Sequence, residues 1–226
     1  MKWKYVKFLV NIISVFFISG IIARRNRPED KTKCPKVRAI RNFDLQEMMG
    51  NWYVMEYYAS SEEALSYRCM RADFAMSSLE DVNMNFTYSF TDDPINELLI
   101  GNISWTIPNA AEPAHWIHSE DTYEGVYNTY VLDSDYTSWA LLLHCAEKDK
   151  VPRYLSSFIM SRRPELGINV VSYLRDKLPR YDIDLSYMFD MEQSDCNSSV
   201  EISPSVLLNR PAVSARRHPL KHVHGE

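Results

Sequence analysis

The stretch that decides the fold class is Val82-Asn83-Met84-Asn85-Phe86-Thr87-Tyr88-Ser89-Phe90, in which every even-numbered residue is apolar and every odd-numbered residue is polar. This period of two is typical of a β-strand with one buried face and one solvated face. Residues 69–76 alternate in the same way, and turn-forming residues separate further strand candidates at 51–59, 97–107, 114–119, 123–132, 138–146 and 154–162. Eight short strands at this spacing predict an antiparallel sandwich or a closed barrel.

A single helix is predicted near the end of this region, at 164–178. Pro164 suits the first turn of a helix, where its missing N–H removes no hydrogen bond. Apolar residues then recur at roughly helical spacing until Pro179. A short strand is predicted to follow at 185–189.

The chain begins with a basic segment and then an apolar one. Lysines in the first seven residues precede an uncharged run at 8–23, which Arg24 ends. This layout predicts a signal peptide at 1–23 and hence secretion. The alternative is a signal anchor, but the run is shorter than the roughly 20 apolar residues that span a bilayer. We expect a linker at 24–33, a folded domain at 34–196 and a mobile tail at 197–226, with no transmembrane segment after signal removal.

Composition and cysteine content limit the function classes. The 226 residues are 46% hydrophobic and carry a formal net charge of -5, which argues against a nucleic-acid partner because phosphate binding needs a basic face. Secretion would place the four cysteines in an oxidising compartment, where they pair, but their spacing leaves three pairings open. Glycosylation sequons that agree with export begin at Asn85, Asn102 and Asn197.

The motifs of common enzymes are missing. The sequence contains no G-x-S-x-G, HExxH or G-x-x-x-x-G-K-[ST]. His115 and His118 would point to opposite faces of one strand, which is poor geometry for a metal ion. We therefore expect neither catalysis nor a metal site. A protein-interaction role through the outer loops, for example the acidic and tyrosine-rich segment 119–127, stays open as the alternative to ligand binding. The basic tail is expected to be functionally quiet, although it could bind metal, heparin or acidic lipid.

Three short blocks resemble those of the lipocalin family. Asn42-Phe43-Asp44 and Gly50-Asn51-Trp52-Tyr53 resemble the first block, Ser134-Asp135-Tyr136 resembles the second block with Ser in place of Thr, and Arg162 resembles the third. Their order and spacing match over 34–196. The resemblance implies an all-β fold, an eight-stranded antiparallel up-and-down β-barrel with one C-terminal α-helix packed on the outside.

The cysteine positions resemble the apolipoprotein D and insect bilin-binding branch of that family. The resemblance implies the disulfides Cys34–Cys145 and Cys69–Cys196. It also implies that Arg162 packs across Trp52 to close the narrow end of the barrel, where Gly50, Asp135 and Tyr136 belong to the same blocks.

The interior of such a barrel holds one small ligand. Phe74, Tyr130 and Phe158 align with pocket aromatics of the branch, with core packing as the alternative role. Strand parity adds Tyr88, Trp105 and Met160 to the predicted lining, and Trp116 is predicted near the open mouth. Parity counted from Trp52 places Glu56 inward, with the wet rim of the barrel as the alternative position.

The resemblance implies a secreted carrier of a small hydrophobic molecule of the fatty acid, sterol, retinoid or bilin class, held non-covalently. No other cofactor is expected. A cell-surface receptor or a lipoprotein is the protein partner that such a carrier would have.

Overall fold

The structure is a computed structural model that describes residues 31–60, 67–78, 80–95, 97–120, 123–147 and 151–196. The predicted signal peptide, most of the predicted linker and the predicted tail lie outside these residues. Within the described part of the chain, no helix is long and apolar enough to cross a membrane.

Eight antiparallel strands form a closed barrel. Their bounds are β1 Gly50–Ala59, β2 Tyr67–Met76, β3 Asp81–Phe90, β4 Leu99–Thr106, β5 His115–Glu120, β6 Tyr123–Ser134, β7 Trp139–Ala146 and β8 Tyr154–Ser161. Each strand pairs with the next along the chain, and β1 pairs with both β2 and β8. This closure leaves none of the eight strands with an open edge and confirms the predicted barrel.

Alternation explains which residues fill the barrel. Inward positions on neighbouring strands bring together a cluster of buried aromatic and aliphatic side chains: Trp52, Phe74, Val82, Trp105, Trp116, Val131, Leu142 and Met160. This cluster occupies the end of the barrel that carries the short helix α1, Leu45–Met48. The Asp44 side chain caps α1 by accepting hydrogen bonds from the backbone N–H groups of Gln46 and Glu47.

The predicted outer helix is present and is shorter than expected. Helix α2 spans Ile168–Arg175, and Gly167 rather than a residue near Pro164 occupies its N-terminal cap. Leu174 and Leu178 are buried against outward-facing residues of β7 and β8, such as Leu141 and Ile159. This contact removes apolar barrel surface from water and holds the helix on the outside of the barrel.

The prediction of a short strand at 185–189 is wrong for most of these residues. Leu185–Tyr187 forms a 3-10 turn, because the Asp184 side chain accepts a hydrogen bond from the Ser186 backbone N–H and starts a turn there. Only the two residues of β9, Phe189–Asp190, are extended, and they pair with β1 on the outside of the barrel.

Both disulfides follow the pairing that the resemblance implied. Cys34 bonds to Cys145 on β7, and Cys69 on β2 bonds to Cys196. The bonds join residues 111 and 127 positions apart in sequence. Loop-closure entropy assigns about 4–5 kcal/mol of stability to a loop of that length.

Candidate functional site

A cavity of about 260 Å³ lies inside the barrel, between β1, β2, β3, β7 and β8. Four of the residues predicted to contact a ligand line it: Phe74, Tyr88, Phe158 and Met160. The other lining residues are Val54, Tyr57, Tyr67, Met70, Arg71, Ala72, Met84, Phe86, Leu142 and His144. The wall is therefore mostly aromatic and aliphatic, with a basic side chain and a histidine among the lining residues.

Aromatic pairs build most of this wall. The ring centroids of Tyr57 and Phe158 lie 4.8 Å apart, and those of Tyr67 and Tyr88 lie 5.2 Å apart. Phe86 lies flat across its cross-strand neighbour Gly101, where an added Cβ would come within 2.1 Å of the ring. The absence of a side chain at Gly101 thus lets Phe86 lie against the wall rather than project into the lumen.

Glu56 does not face the lumen, and it does not lie at the wet rim either. The pairing register of β1 and β8 shifts between Val54 and Glu56. This bulge reverses the parity counted from Trp52, so that Tyr57 turns inward in place of Glu56.

The Glu56 carboxylate is instead buried under α2. Arg175 Nη1 donates to both Glu56 carboxylate oxygens, at 3.0 and 3.1 Å. Burial raises the pKa of Glu56 above its usual value, and the nearby Arg175 charge acts in the opposite direction. Glu56 therefore holds the outer helix against the barrel and is not among the residues that line the cavity.

Tyr130 also lies outside the cavity, contrary to its alignment with pocket aromatics. Its ring stacks on His115 of β5, with centroids 4.5 Å apart, and packs with the apolar cluster beneath α2 and the N-terminal segment. Thr129 and Val131, its neighbours on β6, are buried completely. The inward face of β6 is therefore the odd-numbered one, and Tyr130 belongs to the outer face.

Trp105 and Trp116 point inward but lie below the cavity, and Trp116 is not near the open mouth. Their rings pack on each other at 5.7 Å and on Phe74 at 6.2 and 5.9 Å. Trp116 also contacts Phe43, next to α1. Because β5 begins at the closed end, a residue near its start fills that end. The two indoles belong to the packed cluster at the closed end and do not line the cavity.

The closed end is held by Arg162, as the resemblance implied. Its guanidinium lies 3.7 Å from the Trp52 ring centroid. It donates to the backbone carbonyl oxygens of Glu47, Asn51 and Tyr136, at 2.8, 3.0 and 3.0 Å. One side chain thus joins α1, β1 and the turn between β6 and β7.

The Arg162 guanidinium on the Trp52 ring is called the Arg162 plug. The other residues of the three blocks shape the turns around it. Gly50 has φ +90°, a conformation that favours glycine, and its Cα faces the Arg162 guanidinium. The Asp135 side chain accepts hydrogen bonds from the backbone N–H groups of Ser138 and Trp139. The Tyr136 hydroxyl accepts from the Asp44 N–H at 3.0 Å. These contacts are structural and lie away from the cavity.

The sequence reasoning missed His144, which lies on β7 and is buried in the cavity wall. Its Nδ1 and the Thr129 hydroxyl are 2.8 Å apart, and its ring meets Phe158 edge-on at 5.1 Å. Burial, with a smaller contribution from nearby His118, lowers the pKa of His144 to about 3. The sequence could have indicated it, because His144 lies two residues from the inward-facing Leu142 on the same strand. Leu141 and Leu143 are also apolar, however, so the sequence pattern does not show which face of β7 points inward.

The remaining sequence predictions concern the barrel surface. Asn85 and Asn102 are cross-strand neighbours on the outer face, with Asn102 Nδ2 donating to Asn85 Oδ1 at 2.9 Å. Asn197 lies outside the described residues. The segment 119–127 is described only in part. Among the residues described, no three His, Cys, Asp or Glu side chains are grouped to hold a metal ion, and no cysteine is free.

The amino-acid sequence is similar to those of known proteins. The chain is 26% identical to apolipoprotein D of Bos taurus over 174 residues, which cover 74% of this chain and 86% of that protein. It is 24% identical to apolipoprotein D of Mus musculus over 164 residues, or 73% of this chain and 84% of that protein. No family model matches the chain.

Solved structures share the fold. Lobster apocrustacyanin A1 superposes with a TM-score of 0.54 at 18% identity, covering 74% of this chain and 93% of that one. Apocrustacyanin C1 superposes with a TM-score of 0.53 at 22% identity, covering 67% of this chain and 81% of that one. At these identities the likeness establishes the barrel architecture.

Proposed function

Because this chain is a lipocalin similar to apolipoprotein D, we propose that it is a secreted carrier that holds one small hydrophobic molecule in the lumen of its barrel. The observation that carries the proposal is the cavity of about 260 Å³ with its aromatic and methionine-rich wall. Removing apolar ligand surface from water yields ~25 cal/mol per Å², so a few hundred Å² supply several kcal/mol before ordering costs. Binding by burial needs no catalytic group.

The shape of the lining limits the ligand class. The cavity is slightly smaller than the roughly 300–1,000 Å³ of most small-molecule sites. A slim molecule such as a fatty acid or a retinoid fits this space better than a sterol or a bilin, which would have to project from the open mouth. Met70, Met84 and Met160 supply flexible wall segments, and such side chains adapt to more than one ligand shape.

Secretion is proposed on three features of the chain. The segment 1–23 has the layout of a signal peptide. Two disulfides are features of proteins in oxidising compartments. The sequons at Asn85 and Asn102 lie on the barrel surface, where the enzyme that adds glycans has access.

A matched pair of variants tests the carrier function. Ala72 is 3% exposed and lines the cavity, whereas Ala75 on the same strand is exposed on the outer face. We expect Ala72→Phe to fill the lumen and abolish binding of retinol, which is itself fluorescent, and Ala75→Phe to leave it unchanged. Circular dichroism checks that both variants fold. Should Ala72→Phe misfold, Met84→Trp provides a second way to fill the lumen.

Two results would contradict the carrier function. The first is unchanged affinity in a folded, lumen-filled variant, which would place the bound probe on the outer surface. The second is failure of the wild-type protein to bind any of a fatty acid, a retinoid, a sterol and a bilin. Either result would favour action through the outer loops.

A further inference from the structure

A chain of three side chains leads from the closed end of the barrel into the cavity. Trp105 Nε1 lies 2.9 Å from Thr129 Oγ1, and Thr129 Oγ1 lies 2.8 Å from His144 Nδ1. All three residues are buried. Their hydrogen-bond directions follow from what each group is able to donate or accept.

The direction of this chain is set at Trp105. An indole N–H donates and never accepts, so the Thr129 oxygen accepts from it. The Thr129 oxygen has two lone pairs and could also accept from His144, but its buried hydroxyl proton would then have no acceptor among the described residues. Satisfying that proton requires Thr129 to donate to His144 Nδ1. A neutral imidazole with an accepting Nδ1 carries its proton on Nε2. Burial keeps this imidazole neutral, because the pKa of His144 is lowered to about 3.

The Nε2–H group of His144 is the end of the chain. His144 lines the cavity with Leu142 and Phe158, and none of the described residues hydrogen-bonds to its Nε2. An N–H group at an apolar wall gains a hydrogen bond when a bound molecule presents an oxygen to it.

We infer that His144 is a specificity-determining residue of the lumen, which donates a hydrogen bond from Nε2 to an uncharged oxygen of an otherwise apolar ligand. The inference rests on the carrier function. Among the slim ligands that suit the cavity, it selects molecules with a ketone, aldehyde, ester or hydroxyl oxygen, such as a retinoid, over fatty acids. A neutral donor suits such an oxygen, whereas a buried carboxylate would need a positive charge. His144 supplies none, and the guanidinium of Arg71, which also lines the cavity, lies over the Tyr53 ring. Thr129 is a positioning residue, because it acts on the ligand only through His144.

The first test is the tautomer of His144, which does not depend on any ligand. Nitrogen-15 NMR of histidine-labelled protein distinguishes a protonated Nε2 from a protonated Nδ1. We expect wild-type protein and Thr129→Ser, which keeps the hydroxyl, to show a protonated Nε2. Thr129→Val should show a mixture of the two tautomers. A protonated Nδ1 in the wild-type protein would overturn the inference, whether or not the protein is a carrier.

The second test uses two probes that differ at one atom. β-Ionone carries a ketone oxygen on a small apolar body, and its methylene analogue carries CH₂ in that place. Calorimetric titration of His144→Phe should show β-ionone binding weakened about five- to tenfold, the effect of one lost hydrogen bond, with the analogue unchanged. His115→Phe, the same substitution on the outer face of the barrel, is the matched control and should alter neither affinity.

Infrared spectra supply a readout that packing alone would not change. The carbonyl stretch of carbon-13 β-ionone should move to lower frequency on binding to wild-type protein and return toward its apolar-solvent value in His144→Phe. Equal weakening of both probes, or the same carbonyl frequency in both proteins, would overturn the inference and leave the carrier function standing. Failure of wild-type protein to bind either probe, together with the other apolar compounds, would contradict the carrier function itself.

Discussion

Replacing Arg162 by alanine should destabilise the closed end of the barrel. The guanidinium makes three hydrogen bonds to backbone carbonyls and one cation–π contact, with Trp52. Each hydrogen bond is worth about 1 kcal/mol here, because the group is half-buried and water competes for it. The cation–π contact adds about 0.5–1 kcal/mol at such a site. We therefore expect Arg162→Ala to lower the free energy of unfolding by about 3–4 kcal/mol.

The assay is urea unfolding followed by tryptophan fluorescence, with circular dichroism as a second probe. The expected loss corresponds to a fall in melting temperature of about 6–15 °C for a domain of this size. Arg163→Ala is the matched control, because its side chain is exposed and its loss should cost less than about 0.5 kcal/mol. Arg162→Lys should recover only part of the loss, since an ammonium group lacks the planar fork that reaches three carbonyls. Equal stability of the Arg162→Ala and Arg163→Ala proteins would refute the reasoning.

Three further predictions concern the lumen. Phe158→Ala removes the ring that packs on Tyr57 and should weaken binding of a hydrophobic probe roughly tenfold in a fluorescence titration, while the protein still folds; unchanged affinity would exclude that ring from the site. Gly101→Ala should turn the Phe86 ring into the lumen and lower probe affinity several-fold, and full wild-type affinity would show that the ring relaxes elsewhere. His144 takes up a proton near pH 6.5 in the unfolded state but only near pH 3 in the folded state. Protonation therefore favours the unfolded state, and the free energy of unfolding decreases as the pH falls from about 6.5 toward 3. Between pH 7 and pH 5 the wild-type protein should therefore lose about 1–2 kcal/mol more stability than His144→Phe, as measured by urea unfolding; equal losses would mean that the imidazole titrates normally.

The strands that could be predicted well are those with one face in water. On β3 the apolar residues alternate strictly with polar ones, so its bounds and its inward face followed from the sequence. On β7 the pattern disappears, because α2 covers the outer face and Leu141 and Leu143 are as buried as Leu142. Where both faces are buried, hydrophobicity no longer identifies the inward residue, and His144 went unnoticed.

The misplaced site residues have local physical causes. The bulge at Met55 reverses the parity of β1, and the residues around it include no glycine that would mark it. Glu56 therefore turned out to lie under the outer helix. Tyr130 was assigned by resemblance, but its strand has apolar residues on both faces, and the odd-numbered face is the inner one. The disulfides and the Arg162 plug were predictable, because they depend on short sequence blocks and not on strand parity.

The claim that the lumen carries an apolar molecule is tested most directly by mass spectrometry of the protein made by cells of its natural source. Wild-type and Ala72→Phe proteins are expressed in the same cells and purified in the same way, and their organic extracts are compared. The carrier function predicts one compound, or a narrow set of related compounds, in near-stoichiometric amount in the wild-type extract only. Identical extracts from the two proteins, when both are folded, would contradict it.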